Sequence, residues 1–382
     1  MMNRRHYLQQ AALAGGGLAL LGARALRGQA EGGKPESSGA GAGKLLKTEA
    51  GARGLLAGCA VSAGPLKNDA EYRRTLAEQY SLVVGENCMK FGPLQPAPDR
   101  YNFDDADALV AFAGQHGMKV RGHNFVWHQQ LPSWFEGTAT KDNARQILTG
   151  HILTVGGRYK GKMQSWDVVN EAINLSDGRP DGLRKSPWLE LLGPEYLALA
   201  YRTARQADPH AKLAYNEYGI EYDSEDADKK RAAVLDLLRR LKKQGAPVDA
   251  LGIQSHLRAG NGARFGAGVR KFIDDAQAMG MEVYITEMDV NDDNVAEDDQ
   301  ALRDRAVAQV YGDYLNDVLQ SKAVKAVLTW GLTDRYTWLN TFQRAKKKHP
   351  DRKERPLPFD AEYQPKPAFD AMCTSFSEAS VR

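Results

Sequence analysis

Short runs of apolar residues alternate along this chain with longer stretches whose apolar positions recur every three or four residues, from about Leu45 to the C-terminus. The first pattern suits strands buried on both faces and the second suits amphipathic helices, so their alternation points to a parallel α/β arrangement. Eight strands are predicted, over residues 55–63, 82–87, 119–127, 165–171, 212–218, 250–257, 282–290 and 326–334. Helical spacing occupies the intervals, at 69–79, 104–116, 194–207, 228–243, 269–279 and 300–319. Gly117, Pro209, Gly245 and Gly280 stand where a helix must stop and the chain turn back into a strand. Eight βα units in about 330 residues match a single closed (β/α)8 TIM barrel. An open doubly wound sheet would show the same alternation.

The first 44 residues break the pattern. Asn3-Arg4-Arg5-His6-Tyr7-Leu8 carries paired arginines, residues 11–21 are apolar and small, and Ala23-Arg24-Ala25 follows as a cleavage site. That apolar stretch is far shorter than the roughly 20 residues needed to span a bilayer. Residues 1–30 therefore read as a twin-arginine export signal, removed near Ala25 or Ala30, with no stable membrane anchor left behind and a periplasmic or secreted product. Residues 31–44, rich in Gly and Ser, read as a flexible linker, and 45–382 as the barrel. The four arginines of the signal account for the formal charge of +3, without which the balance is −1, so nothing suggests a nucleic-acid partner. Cys59, Cys88 and Cys373 permit at most one disulfide, and each reads as a small buried hydrophobe. Residues 341–358 hold seven basic residues and two acids. They read as a solvated charge run, or else as a loop steering acidic branches of a polymer.

In a barrel the reactive side chains come from the C-terminal ends of the strands. Seven of those ends carry polar and aromatic residues here, which core packing does not explain. Glu171 closes the apolar run of the fourth strand and Glu287 that of the seventh. A single glutamate in such a place would read as a surface ion pair. Two facing ones are what glycoside cleavage requires, one to protonate the leaving oxygen and one to attack the anomeric carbon. Asn170 can donate to a sugar 2-hydroxyl, and His256 with Asp289 can form a polar chain that orients Glu287. Trp127, Trp330 and Trp338 offer flat apolar faces for sugar rings beside Lys90, His123 and Gln254. His123 and His256 lack the carboxylate spacing of a metal site, so hydrogen-bonding roles suit them better. Neither a metal nor a cofactor is expected.

The segments ENCMK, RGHNFVWH, WDVVNEA, YNEYGIE, LGIQSHL, VYITEMDV and TWGLTD occur in that order between about Leu55 and Met372. As an ordered set they resemble family 10 of the glycoside hydrolases, the endo-β-1,4-xylanase family. The resemblance implies a retaining double displacement on xylan and xylo-oligosaccharides, with Glu171 as acid/base and Glu287 as nucleophile. Their carboxyl groups would then stand roughly 5 to 5.5 Å apart. It further implies that Glu86, Asn87 and Lys90 bind the xylose two places to the nonreducing side of the cut. His123, Trp127, Asn170, Gln254 and Trp330 would surround the sugar being cleaved, His256 would bond the nucleophile, and Trp338 would close over the site. Asn216 and Tyr218 match substrate-binding positions of the fifth-strand motif. Departures from the family pattern fall at Glu217, Phe125 and Phe91, none of them a catalytic position. A β-1,4-glucanase or cellobiohydrolase-like activity on the same site is the alternative. A noncatalytic sugar-binding barrel and a lyase using Lys90 as a Schiff base are the readings from other classes.

Overall fold

The computed structural model describes residues 43–262, 264–341 and 348–382. The predicted export signal, nearly all of the predicted linker, and 342–347 of the basic segment lie outside the described residues. The strands are β1 Leu56–Val61, β2 Leu82–Gly85, β3 Lys119–Val126, β4 Ser165–Asn170, β5 Lys212–Glu217, β6 Ala250–Ile253, β7 His256–Arg258, β8 Glu282–Asn291 and β9 Val324–Thr329. Each of β1 to β6 pairs in parallel with its neighbour in sequence, β1 also pairs with β9, β9 with β8, and β8 with β6. That last pairing closes the ring, so the sheet is the eight-stranded barrel and not an open doubly wound sheet.

Short β7 pairs only with β8 and lies outside the ring order. The predicted sixth strand, 250–257, is thus broken in two. Its pleat is lost at Ser255, whose φ of 66° is left-handed. The break is held by the Glu221 carboxylate, which accepts from Ser255 N at 3.0 Å, and by the 2.7 Å bond between the Ser255 and Tyr314 hydroxyls. Predicted and observed helices agree to within a few residues, and their starts have a chemical cause. Asp69 accepts from the amides of Glu71 and Tyr72, Ser224 from Ala227 and Asp299 from Leu302, each satisfying an otherwise unpaired first-turn donor. The helix Ala144–Arg158, between β3 and β4, escapes the periodicity reading because Gly150, Gly156 and Gly157 dilute its apolar face. Gly156 is required there, since a Cβ would stand 2.7 Å from that of Ala207 on the neighbouring helix.

A large apolar layer fills the space between the strands and the surrounding helices. A smaller core, with Leu82, Val84, Tyr284 and Leu328 on the strands and Trp330 just beyond β9, forms a separate cluster. Polar residues belong to the buried set as well. Arg121 on β3 and Asp167 on β4 are each 1% exposed and ion-paired, with Arg121 also donating to Ser165 Oγ at 3.0 Å and lying 5.2 Å from the Tyr284 ring centre. His123 Nδ1 meets the other Asp167 oxygen at 2.9 Å. One buried carboxylate thereby serves both Arg121 and His123, and removing it would strand the two of them. We expect Asp167→Ala to lower stability by about 3–5 kcal/mol, read from urea unfolding curves; a loss below about 1 kcal/mol would contradict this assignment.

Among the described residues no helix is long and apolar enough to cross a membrane, and no group of His, Cys, Asp and Glu is arranged to hold a metal ion. The three cysteines are buried free thiols. The described part of the basic segment is not a solvated run throughout. Arg355 pairs twice with Asp304 at 2.8 and 2.9 Å, and Arg352 donates to the backbone oxygens of Asp292, Val295 and Glu297. These two arginines fasten the chain after β9 to the loop after β8 and to the helix Gln300–Val318.

Candidate active site

Glu171 sits one residue beyond β4 and Glu287 within β8, both at the C-terminal mouth of the barrel. Glu171 has a φ of 59°, a left-handed conformation that costs a residue with a Cβ roughly 1–2 kcal/mol. Its surroundings hold that turn at every polar atom. The Glu171 amide donates to Asn216 O at 2.9 Å, Ala172 N to the Tyr215 hydroxyl at 3.2 Å and Ile173 N to the Glu217 carboxylate at 3.2 Å. Arg184 Nε donates to Glu171 O at 2.7 Å. The conformation aims the side chain across the mouth instead of outward along the strand.

The Glu171 carboxyl accepts from Trp127 Nε1 at 2.9 Å on one oxygen, and from Gln254 Nε2 at 2.9 Å and Asn170 Nδ2 at 3.2 Å on the other. Burial pushes its pKa above the usual carboxylate value. The Gln254 and Trp127 hydrogen bonds oppose that push, and the charges of Glu217 and Glu287 reinforce it. Glu287 goes the other way. Burial again acts against its charged form, but the His256 hydrogen bond and the positive charges of His123, His256 and Lys90 outweigh it and bring the pKa down to about 2. Asn216 Nδ2 adds a 2.6 Å hydrogen bond to Glu287. Two chemically identical groups at one mouth are therefore driven apart, Glu171 toward its protonated form and Glu287 toward its ionised one.

The two carboxyls are joined by a chain of amides. Asn170 Oδ1 accepts from both Gln254 Nε2, at 3.3 Å, and Asn216 Nδ2, at 3.0 Å, and those two amides reach Glu171 and Glu287 respectively. Asn216 is wholly buried, and its oxygen accepts from the Thr286 hydroxyl at 2.7 Å. Asn216, which the fifth-strand motif offered as a substrate-binding residue, lies with its amide engaged by protein, and it holds Glu287 in place. Gly252 on β6 makes that position available, because a Cβ there would stand 2.2 Å from Asn216 Oδ1.

The predicted chain behind Glu287 is present. His256 Nε2 lies 3.2 Å from Glu287, its Nδ1 lies 3.0 Å from Asp289, and Asp289 accepts from Trp338 Nε1 at 2.7 Å. Burial disfavours the imidazolium, yet the Asp289 and Glu287 carboxylates prevail and raise the His256 pKa well above its ordinary value, so both ring nitrogens donate. Lys90 is 6% exposed, bonded to Asn87 Oδ1 at 3.1 Å, with its ammonium 4.9 Å from the Trp127 ring centre and 5.9 Å from that of Trp330. Glu86, whose pKa is raised by burial and countered by Lys90, is half-buried beside it. His123 packs edge-on to Trp330 at 5.3 Å. Trp127 and Lys90 thus stand at the carboxylates, with Asn87 and Glu86 beside Lys90, Trp330 between Lys90 and His123, and Trp338 behind His256. Tyr218 stands apart, 37% exposed, tied to the site through Arg184, which donates to its hydroxyl at 3.0 Å.

Residues outside the sequence-based set also belong here. His128 Nδ1 lies 3.9 Å from Glu171 Oε2 without a hydrogen-bond partner, and burial aided by the Arg184 charge lowers its pKa to about 4, so it is neutral. Its place in the third-strand motif, next to Trp127, was a usable signal. Arg184 lies in a loop with no pattern to mark it. The departures at Phe91 and Phe125 are core residues: Phe91 packs on His151 and Trp188, and Phe125 stacks on Trp166.

The family model of Glycosyl hydrolase family 10 matches residues 45–375. Endo-1,4-beta-xylanase B of Paenibacillus barcinonensis is 36% identical, over 82% of this chain and 92% of its own. Endo-1,4-beta-xylanase A of Thermoanaerobacterium saccharolyticum is 33% identical over 82% of this chain, which spans 26% of that longer relative. The crystal structure of xylanase 10B from Thermotoga petrophila RKU-1, in complex with xylobiose, superposes with a TM-score of 0.78 at 31% identity, covering 89% of this chain and 99% of the other. By the extent of the family match and of these likenesses, the chain belongs to glycosyl hydrolase family 10.

Proposed function

We propose that this protein is a retaining endo-β-1,4-xylanase, in which Glu171 is the acid/base and Glu287 the nucleophile. The observation that carries the reading is the opposite displacement of the two carboxyl pKa values at one mouth, each with its own physical cause. In the first step Glu287 attacks the anomeric carbon while the Glu171 proton passes to the departing glycosidic oxygen, so the C–O bond breaks without releasing an alkoxide. In the second, the ionised Glu171 takes a proton from water, whose oxygen displaces Glu287 and regenerates both groups. His256 and Asn216 keep the Glu287 oxygens aligned for attack, and Trp127 and Gln254 do the same for Glu171. Lys90, Asn87 and Glu86 supply polar contacts for a neighbouring xylose, with the faces of the tryptophans beneath it. Release of reducing ends from xylan, compared with soluble cellulose, tests the substrate. Cleavage of xylan at much the higher rate is expected, and preference for cellulose would make the protein a β-1,4-glucanase.

The pH dependence follows from the same two groups. Glu171 works as an acid only while protonated, so activity is present below its raised pKa and is lost as pH rises through it. Glu287 must be ionised, and its pKa of about 2 places the acid limb far lower. The alkaline limb of kcat/KM is therefore expected above the ordinary carboxylate value of 4.5, and a limb at or below that value would contradict the assignment of Glu171.

We further propose export through the paired arginines of the N-terminal segment, since polymeric xylan does not enter a cytoplasm. Substituting Arg4 and Arg5 by Lys is expected to leave the protein inside the cell on fractionation, and undiminished export of that variant would contradict a twin-arginine route.

A further inference from the structure

The turn that carries Glu171 rests on two supports that meet at one side chain. On one arm, Ile173 N donates to the Glu217 carboxylate, which is wholly buried and also accepts from the Tyr215 hydroxyl at 2.5 Å and Tyr218 N at 3.2 Å. On the other, Arg184 donates to both Glu171 O and the Tyr218 hydroxyl. Lys230, on the helix Glu225–Lys243, lies under both arms. Its ammonium is 2.9 Å from Glu217 Oε1 and 3.7 Å from the centre of the Tyr218 ring, and its side chain is 13% exposed. A wholly buried carboxylate needs a counter-charge, and Lys230 is the cation paired with Glu217. An ammonium against a tyrosine face also fixes the ring.

We propose that Lys230 is a positioning residue for proton donation: by neutralising Glu217 and clamping Tyr218 it holds the left-handed turn at Glu171 and keeps the acid aimed at the leaving oxygen. The inference rests on the reading of Glu171 as the acid and deepens it. Among the described residues Glu287 is bonded by His256 and Asn216, and Lys230 is bonded to neither it nor them. Loss of Lys230 therefore weighs on the step that needs a proton and not on nucleophilic attack as such. Tyr218, which Arg184 ties to the Glu171 turn, would also lose its fixed orientation.

The test compares two aryl β-xylobiosides, one releasing phenol, which needs protonation as it leaves, and one releasing 2,4-dinitrophenol, which does not. The ratio of kcat/KM for the first over the second is expected to fall by about tenfold or more in Lys230→Met, because a misaimed acid is a loss of general-acid catalysis. Lys230→Arg, which retains the charge and the contact with the ring, is expected to restore the ratio to within about threefold. A general loosening of the fold would lower both rates together and leave the ratio in place. If Lys230→Met does not fold, as judged by circular dichroism, Glu217→Gln is read in its stead with the same expected fall. An unchanged ratio in a folded variant overturns the inference while leaving the xylanase reading intact. A wild-type protein inert toward both glycosides overturns that reading, and this inference with it.

Discussion

Glu287→Gln is expected to abolish turnover of every glycoside, lowering kcat by on the order of 10⁴-fold or more, because no other group can form the bond to the anomeric carbon. The amide fits the space of the carboxylate, so the fold should be retained. It cannot reproduce the electrostatics, since the His256 imidazolium and the Lys90 ammonium converge on a negative charge that glutamine lacks. Initial rates on 2,4-dinitrophenyl β-xylobioside check this without any demand on the acid. Activity within tenfold of the wild type would remove Glu287 from the nucleophile's role.

The second large effect belongs to Glu171→Ala and depends on the leaving group. Xylan and phenyl β-xylobioside are expected to react about 10²–10⁴-fold more slowly, the usual contribution of a placed general acid. The dinitrophenyl substrate, whose phenolate departs unaided, should glycosylate Glu287 at close to the normal rate. Hydrolysis of the intermediate then lacks its base, so a burst of dinitrophenolate equal to the enzyme concentration should precede a slow steady state. Stopped-flow absorbance resolves the two phases. Equal losses on both aryl glycosides, with no burst, would contradict the division of labour between the two carboxyls.

Much of this site was legible before any coordinates, because βα alternation places strand ends together and the strand ends carry the chemistry. Glu171 and Glu287 each follow an apolar run, and His256 and Asp289 lie at adjacent ends, so their meeting follows from barrel closure. The rest depends on side chains that cross between elements. Lys230 lies in the run of four charged residues Asp228-Lys229-Lys230-Arg231, which carries no apolar signal. In the structure Arg231 is 4% exposed, donating to the carbonyls of Ile220 and Tyr222, and Lys230 reaches under the loop to Glu217. Hydrophobic patterning cannot register a cation buried by its partners. Strand alternation likewise tells which residues point into the barrel, and not that the Asn216 amide bonds Glu287, Asn170 and Thr286. The break at Ser255 was hidden because Glu221, the residue that holds it, comes from a loop far away in sequence. In the basic segment, charge composition could not distinguish arginines that fasten one loop to another from arginines open to solvent.

Product stereochemistry tests double displacement at Glu287, assisted by Glu171, most directly. Proton NMR of a xylo-oligosaccharide digest, recorded in the first minutes before mutarotation, reports the anomer formed first. Two inversions at the same carbon predict the β-anomer as the initial product. Initial accumulation of the α-anomer would mean a single displacement by water, and would contradict the assignment of Glu287 as the nucleophile.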